Sequence, residues 1–208
     1  MKSKLILAMI VVLFFASCEE SEVVVIPVPT TQIIPLKVGN TWKYETITYD
    51  SLGLEKNRFV EARSIKAETT LAGEKWFYGS IFPGYITIRS NGLWYKILPF
   101  PFSYSDIDGE PGLVIPFPLK VNQSEIGYAG KTYTMLDEDV LITTPAGKFR
   151  CYQYRISLRP NTSGPDHNDI YYAAGVGLVK ETWSYDFIPG QRLYYQRGEH
   201  TLLSYNVH

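Results

Sequence analysis

The chain is predicted to be mainly β, an antiparallel meander with few or short helices. Three observations predict this. Apolar and polar residues alternate with a period of two, as in Trp42, Tyr44, Thr46 and Thr48 against Lys43, Glu45 and Ile47. The composition includes 16 Tyr, 10 Phe and 4 Trp with frequent Thr, Val and Ile, the usage of a pleated, half-buried surface. No stretch of ten or more residues carries a helical 3.6 period.

The first element is a leader rather than a strand. Lys2 and Lys4 precede an apolar run from Leu5 to Phe15, then Ala16, Ser17 and Cys18. That run fits the ~7–15 residues of a signal-peptide core and falls short of the ~20 needed to span a bilayer. The string LFFASC resembles the lipobox of bacterial lipoproteins, which implies acylation of Cys18 as the first mature residue. Residues 1–17 are therefore expected to be a lipoprotein signal peptide and 18–34 a lipidated cysteine with a Pro-rich tether. A single antiparallel β domain is expected over 35–208. The acidic residues Glu19, Glu20 and Glu22 resemble the export signal of surface-exposed lipoproteins. The implied location is the envelope of a diderm bacterium, at the outer membrane. Pro27, Pro29 and Pro35 exclude a helix in the tether, and Val23 to Ile26 is short enough to pair as an edge strand instead.

The body opens at PLKVGNTWKYE, where Gly39–Asn40 turns the chain into the Trp42 strand. Alternating runs follow over Arg58 to Glu68 and Lys75 to Ile81. Tyr85 to Ser90 and Leu93 to Leu98 flank Asn91–Gly92, which predicts a hairpin with a type I′ turn. The segment Pro99 to Pro118, rich in proline and aromatics, is too long and too apolar to be a solvated loop. PLKV then recurs at Pro118 to Val121, suggesting two similar β halves. Strands are expected over Thr132 to Leu136, Val140 to Thr144 and Lys148 to Leu158, the last with Tyr152, Tyr154, Ile156 and Leu158 on one face. Cys151, Gln153 and Arg155 fall on the other. Asp169 to Ala173 and Leu178 to Tyr185 form a hairpin about Gly175 to Gly177. A long final strand runs from Arg192 to Val207, with Gly198 as a candidate bulge.

Taken together, PLKVGNTWKYE, TTPAGKFRCYQY, YYAAGVGLVKETW and the terminal LLSY resemble an uncharacterised group of bacterial envelope lipoproteins. Their fold is similar to the LolA/LolB lipoprotein carriers. The resemblance implies a curved antiparallel sheet, a half-barrel whose concave face receives acyl chains in the carriers.

Charge and motifs exclude several function classes. With 20 basic and 21 acidic residues, a net charge of −1 and no basic run, nucleic acid is not an implied partner. The implied partners are the membrane, through the lipid, and an apolar ligand or envelope protein. Cys151, without a partner if Cys18 is acylated, reads as a buried small hydrophobe. GVGLVK joins strand to strand and so lacks the helix N-terminus of a phosphate site. Asp106 and Asp108 open a calcium-like loop, yet the twelfth position is Phe117 and not a bidentate Glu. Asp166, His167 and Asp169 read as turn formers, and His200 and His208 add nothing near that group in sequence. No cofactor and no metal are implied. No nucleophile, zinc or redox motif occurs, although two carboxylates of a hydrolase need only meet in space.

The expected function is thus that of a non-enzymatic envelope lipoprotein binding a ligand or partner through a sheet face. A carrier of an apolar ligand and a hydrolase are the alternatives. Candidate groove aromatics are Trp42, Tyr44, Trp76, Tyr85, Trp94 and Tyr154, which serve equally well as core residues.

Overall fold

The computed structural model describes residues 24–25, 32–82, 84–97, 110–157, 167–185 and 196–208. Cys18, the signal segment, Asp106, Asp108 and Asp166 lie outside the described residues. The strands are β1 (Val24–Val25), β2 (Thr41–Tyr49), β3 (Glu55–Leu71), β4 (Glu74–Gly79), β5 (Gly84–Arg89), β6 (Gly92–Ile97) and β7 (Gly112–Pro116). They continue as β8 (Ser124–Ile126), β9 (Thr132–Thr144), β10 (Gly147–Ser157), β11 (His167–Ala173), β12 (Gly177–Tyr185) and β13 (Gln196–Asn206). A 3-10 turn at Tyr128–Gly130 follows β8, and no α-helix occurs among the described residues.

The order is β7-β6-β5-β4-β3-β2-β13-β12-β11-β10-β9-β8, two meanders of six strands joined where β2 pairs with β13. The curvature goes beyond the half-barrel of the sequence reading, giving a nearly closed barrel. At the seam, side chains pack in place of a ladder. A Cβ on Gly112 would overlap the Tyr128 ring and one on Gly127 would overlap Leu113 O, so these two glycines let the β7 and β8 segments meet.

The repeated PLKV has a structural counterpart in each half. The Asn40 amide donates to Lys37 O at 3.1 Å, and the Gln123 amide donates to Lys120 O at 2.9 Å. Between them Gly39 and Asn122 take positive φ, +96° and +65°. Each turn then exchanges two backbone bonds with a buried residue of the next long strand, Ile65 in the first half and Met135 in the second. One turn thus starts both meanders, the second using Asn, which tolerates this backbone, in place of Gly.

Four local expectations are corrected. The β5–β6 hairpin forms, but its two-residue loop is Ser90–Asn91, with Arg89 opposite Gly92, and only Gly92 has positive φ (+136°). A two-residue hairpin loop with both residues at positive φ, as type I′ requires, is found instead at Ala72–Gly73. Thr132 to Thr144 is one strand with an irregularity opposite Gln153, where two separate strands were expected. That irregularity switches the parity of β10. Phe149 and Cys151 point inward before it and Tyr154 and Ile156 after it, all buried, so Cys151 leaves the outward set with Gln153 and Arg155. Finally, Gly198 sits in regular register, and the slip lies between Leu202 and Ser204. Gly198 is there because the Trp183 ring lies across it, where any Cβ would overlap the indole.

One end of β2 and β10–β13 is where the N-terminal chain arrives. β11 leaves Lys148 and Phe149 uncovered, and Val24–Val25 pair there in parallel. The Gly175 amide donates to Gln32 O, while Ile33 and Ile34 are buried in the core. The stretch expected to be a tether therefore touches the body at two points. The opposite end carries the β2–β3 hairpin tip, where the Asp50 carboxylate accepts from the Leu52 and Leu54 amides, both at 2.9 Å.

Candidate functional site

Inside the barrel, pairing brings charged residues together that are far apart in sequence. Thr46 on β2 stands opposite His200 on β13, His200 opposite Glu181 on β12, and Tyr44 opposite Glu61 on β3. Directly paired residues share a face, so all five point inward. His200 Nε2 lies 2.8 Å from Glu61 Oε1 and 2.7 Å from Arg63 Nη2, and Arg63 Nε donates to Glu61 Oε1 at 2.8 Å. The Arg63 guanidinium sits 5.0 Å over the Tyr44 ring, which stacks on His200 at 5.0 Å.

Burial, reinforced by the Arg63 charge and opposed by Glu61, lowers the His200 pKa to about 4, so the ring is neutral. Nε2 faces both the Arg63 guanidinium and the Glu61 carboxylate, and Nδ1 lies 2.7 Å from Thr46 Oγ1, so the direction of the Thr46 bond follows from which ring nitrogen carries the proton. Thr46 and His200 are both buried, so this hydroxyl–imidazole–carboxylate row is closed off from solvent. Burial pushes the Glu61 carboxyl up, but Arg63 and His200 outweigh it and leave it below the usual range. Glu181 goes the other way. Burial raises it against Arg63, Lys131 and Asn168, whose Nδ2 donates to Glu181 Oε1 at 3.0 Å.

This cluster makes stability depend on pH. The folded pKa of His200 lies below the ~6.5 of a free imidazole, so the unfolded chain takes up its proton first as pH falls. The contribution is complete above pH ~6.5 and is lost toward pH ~4, a change on the order of 2 kcal/mol. Glu181, with a raised folded pKa, partly opposes it by favouring the folded state at low pH. Urea unfolding at pH 7 and pH 4.5 should show a smaller loss of stability in His200→Gln than in wild type. Parallel profiles would mean that His200 is not held neutral.

Of the aromatics singled out in sequence, Trp42, Tyr44 and Tyr154 lie together in the core. Trp42 Nε1 donates to Val176 O at 2.6 Å, and Tyr44 Oη donates to Leu178 O at 2.9 Å. Trp76, Tyr85 and Trp94 occupy the opposite, outward face of β4–β6. There Arg89 lies 5.6 Å from the Trp76 ring and 4.4 Å from that of Trp94, held by two bonds to Glu74 at 2.8 and 2.7 Å. Tyr85 packs on Tyr78 at 5.9 Å. The six thus form two sets on two faces. Cys151 is a fully buried free thiol whose pKa burial raises to about 12.

A trough on the outward face of β12 escaped sequence reasoning altogether. The outward positions Thr182 and Ser184 are short. Their neighbours are long: His167 on β11, Arg197 and Glu199 on β13, and Tyr49 on β2. The difference in length leaves a groove of about 260 Å³ with hydroxyls on its floor. Tyr49 Oη donates to Glu199 Oε1 at 3.0 Å, and Lys180 Nζ lies 3.1 Å from Glu199 Oε2. Next to it, Arg155 holds Asp169 through two bonds at 2.8 and 2.9 Å. The signal for the trough was the T-W-S run of β12, which is informative only once its neighbours in the sheet are known.

No family model and no curated protein matches the chain. Among solved structures, it is similar to a provisionally assigned lipoprotein of Parabacteroides distasonis, at 18% identity and a TM-score of 0.41, covering 85% of this chain and 99% of the other. It is also similar to a provisionally assigned exported protein of Bacteroides fragilis with a YmcC-like fold. That likeness has 10% identity and a TM-score of 0.44, covering 85% of this chain and 100% of the other. The likeness to the LolA/LolB carriers expected from the sequence is not shown by these comparisons.

Proposed function

We propose that the protein is a lipid-anchored envelope protein that works by binding, through the outward face of its sheet, and performs no chemistry. The observation that carries this reading is the placement of the trough. It lies at the end of β2 and β11–β13 opposite the one where the N-terminal chain joins the body, and so faces away from an anchor at Cys18. Two further features support it. The barrel interior is packed with Trp42, Phe149, Tyr154, Met135 and Leu202, all almost fully buried, which leaves an acyl chain no room among them. The inward carboxylates are also engaged, Glu61 by Arg63 and Glu181 by Asn168, which speaks against a hydrolase.

A photo-cross-linking amino acid at Ser184, in the full chain in growing cells, tests the reading. The expected result is a discrete adduct from Ser184 and none from Ala62, an exposed outward position on β3 opposite Lys43. Absence of any adduct at Ser184, or equal adducts at both positions, would count against the trough as the binding face.

A further inference from the structure

We infer that the trough over β12 takes the ring of an uncharged sugar, an inference that rests on the trough being the binding face. Size is the first argument. At about 260 Å³ the trough lies below the ~300–1,000 Å³ typical of drug-sized sites and suits a single small ring lying along the strand. Chemistry is the second. A sugar presents hydroxyls around its rim and C–H groups on its faces. It is therefore recognised by fixed polar groups combined with an aromatic wall.

The trough supplies both. Thr182 places a hydroxyl on the floor beside Ser184, and Tyr49 forms an aromatic wall. Glu199 is fixed in advance by the Tyr49 hydroxyl at 3.0 Å and by Lys180 at 3.1 Å. Each of its oxygens has one such partner and, with lone pairs to spare, can accept from neighbouring hydroxyls of one ring. Holding the acceptor rigid before binding lowers the ordering cost that otherwise weakens contact with a small polar ligand.

Charge is the third argument. Glu199 is balanced by Lys180 and the neighbouring Asp169 by Arg155, while Arg197, which also lines the trough, is engaged in an interaction of its own. An added anion would compete with Glu199 for Lys180, and an added cation would compete with Lys180 for Glu199. A neutral polyol disturbs neither pair.

The test uses the full-length, detergent-solubilised protein and saturation-transfer NMR with the methyl pyranosides of glucose, galactose, mannose and N-acetylglucosamine. At least one should receive saturation at millimolar concentration. The signal should be lost in Thr182→Trp, which fills the trough from an outward strand position, and Kd should rise about tenfold in Glu199→Gln. Should Thr182→Trp fail to fold, Ser184→Tyr blocks the same floor. No saturation of any pyranoside, or undiminished signal in the folded blocking variant, overturns the inference. A protein adduct at Ser184 in cells, with no response to the pyranosides, overturns the sugar and leaves the trough as a protein-binding face. Loss of both overturns the trough itself.

Discussion

Gly92→Val should destabilise the full chain by about 3 kcal/mol or more. Two costs add. The residue has φ of +136°, a region that a β-branched side chain scarcely enters, and its Cβ would overlap Ile115 O. The second cost cannot be relieved by a rotamer change, because the obstacle is the backbone of β7, which pairs with Gly92 through Pro116. Phe117, whose amide donates to Asn91 O at 3.0 Å, would have to move as well. Equilibrium urea unfolding measures the loss, and an unchanged midpoint would show that β6 and β7 do not meet in this register.

Arg63→Leu should cost about 2–4 kcal/mol at pH 7, less than a fully buried pair because the Arg63 side chain keeps some contact with water. The substitution removes the positive charge shared by Glu61, His200 and Glu181 and leaves the carboxylates on the inward face without it. The loss should shrink near pH 5. Without Arg63 beside it, His200 titrates higher, next to Glu61, so the folded state binds a proton that replaces the missing charge. The double variant Arg63→Leu/Glu61→Leu should be more stable than Arg63→Leu alone. Equal cost at both pH values, with no recovery in the double variant, would mean that the side chain acts through packing on Tyr44 and not through its charge.

The contrast between these two sites shows how far the sequence could be read. The Gly92 hairpin was legible because its determinants are local: alternation on both sides, a two-residue turn and a glycine. Even there the turn type was misplaced by one residue, since the approach of β7 is what demands glycine at position 92. The inward cluster was not legible. Nothing in the alternation of any one strand marks Glu61, Arg63, Glu181 and His200 as a cluster, and only the pairing of β3, β2, β13 and β12 brings them together. The same limit applies to Cys151, which strict alternation turns outward and the irregularity in β10 turns inward. The trough depends on relative side-chain length across four strands, three of them contributing residues 118 or more positions away from Tyr49 in sequence. The PLKV repeat is the opposite case, a four-residue match whose turn, left-handed residue and buried partner recur in both halves.

The proposed function requires an anchor at Cys18 and a body that binds at the end facing away from it. Mass spectrometry of the N-terminal peptide, from protein purified gently out of membranes, tests the anchor directly. The expected peptide begins at Cys18 and carries the added mass of its acyl chains, sufficient for stable membrane attachment at ~0.8 kcal/mol per buried methylene. An unmodified Cys18, or a peptide still beginning at Met1, would contradict it.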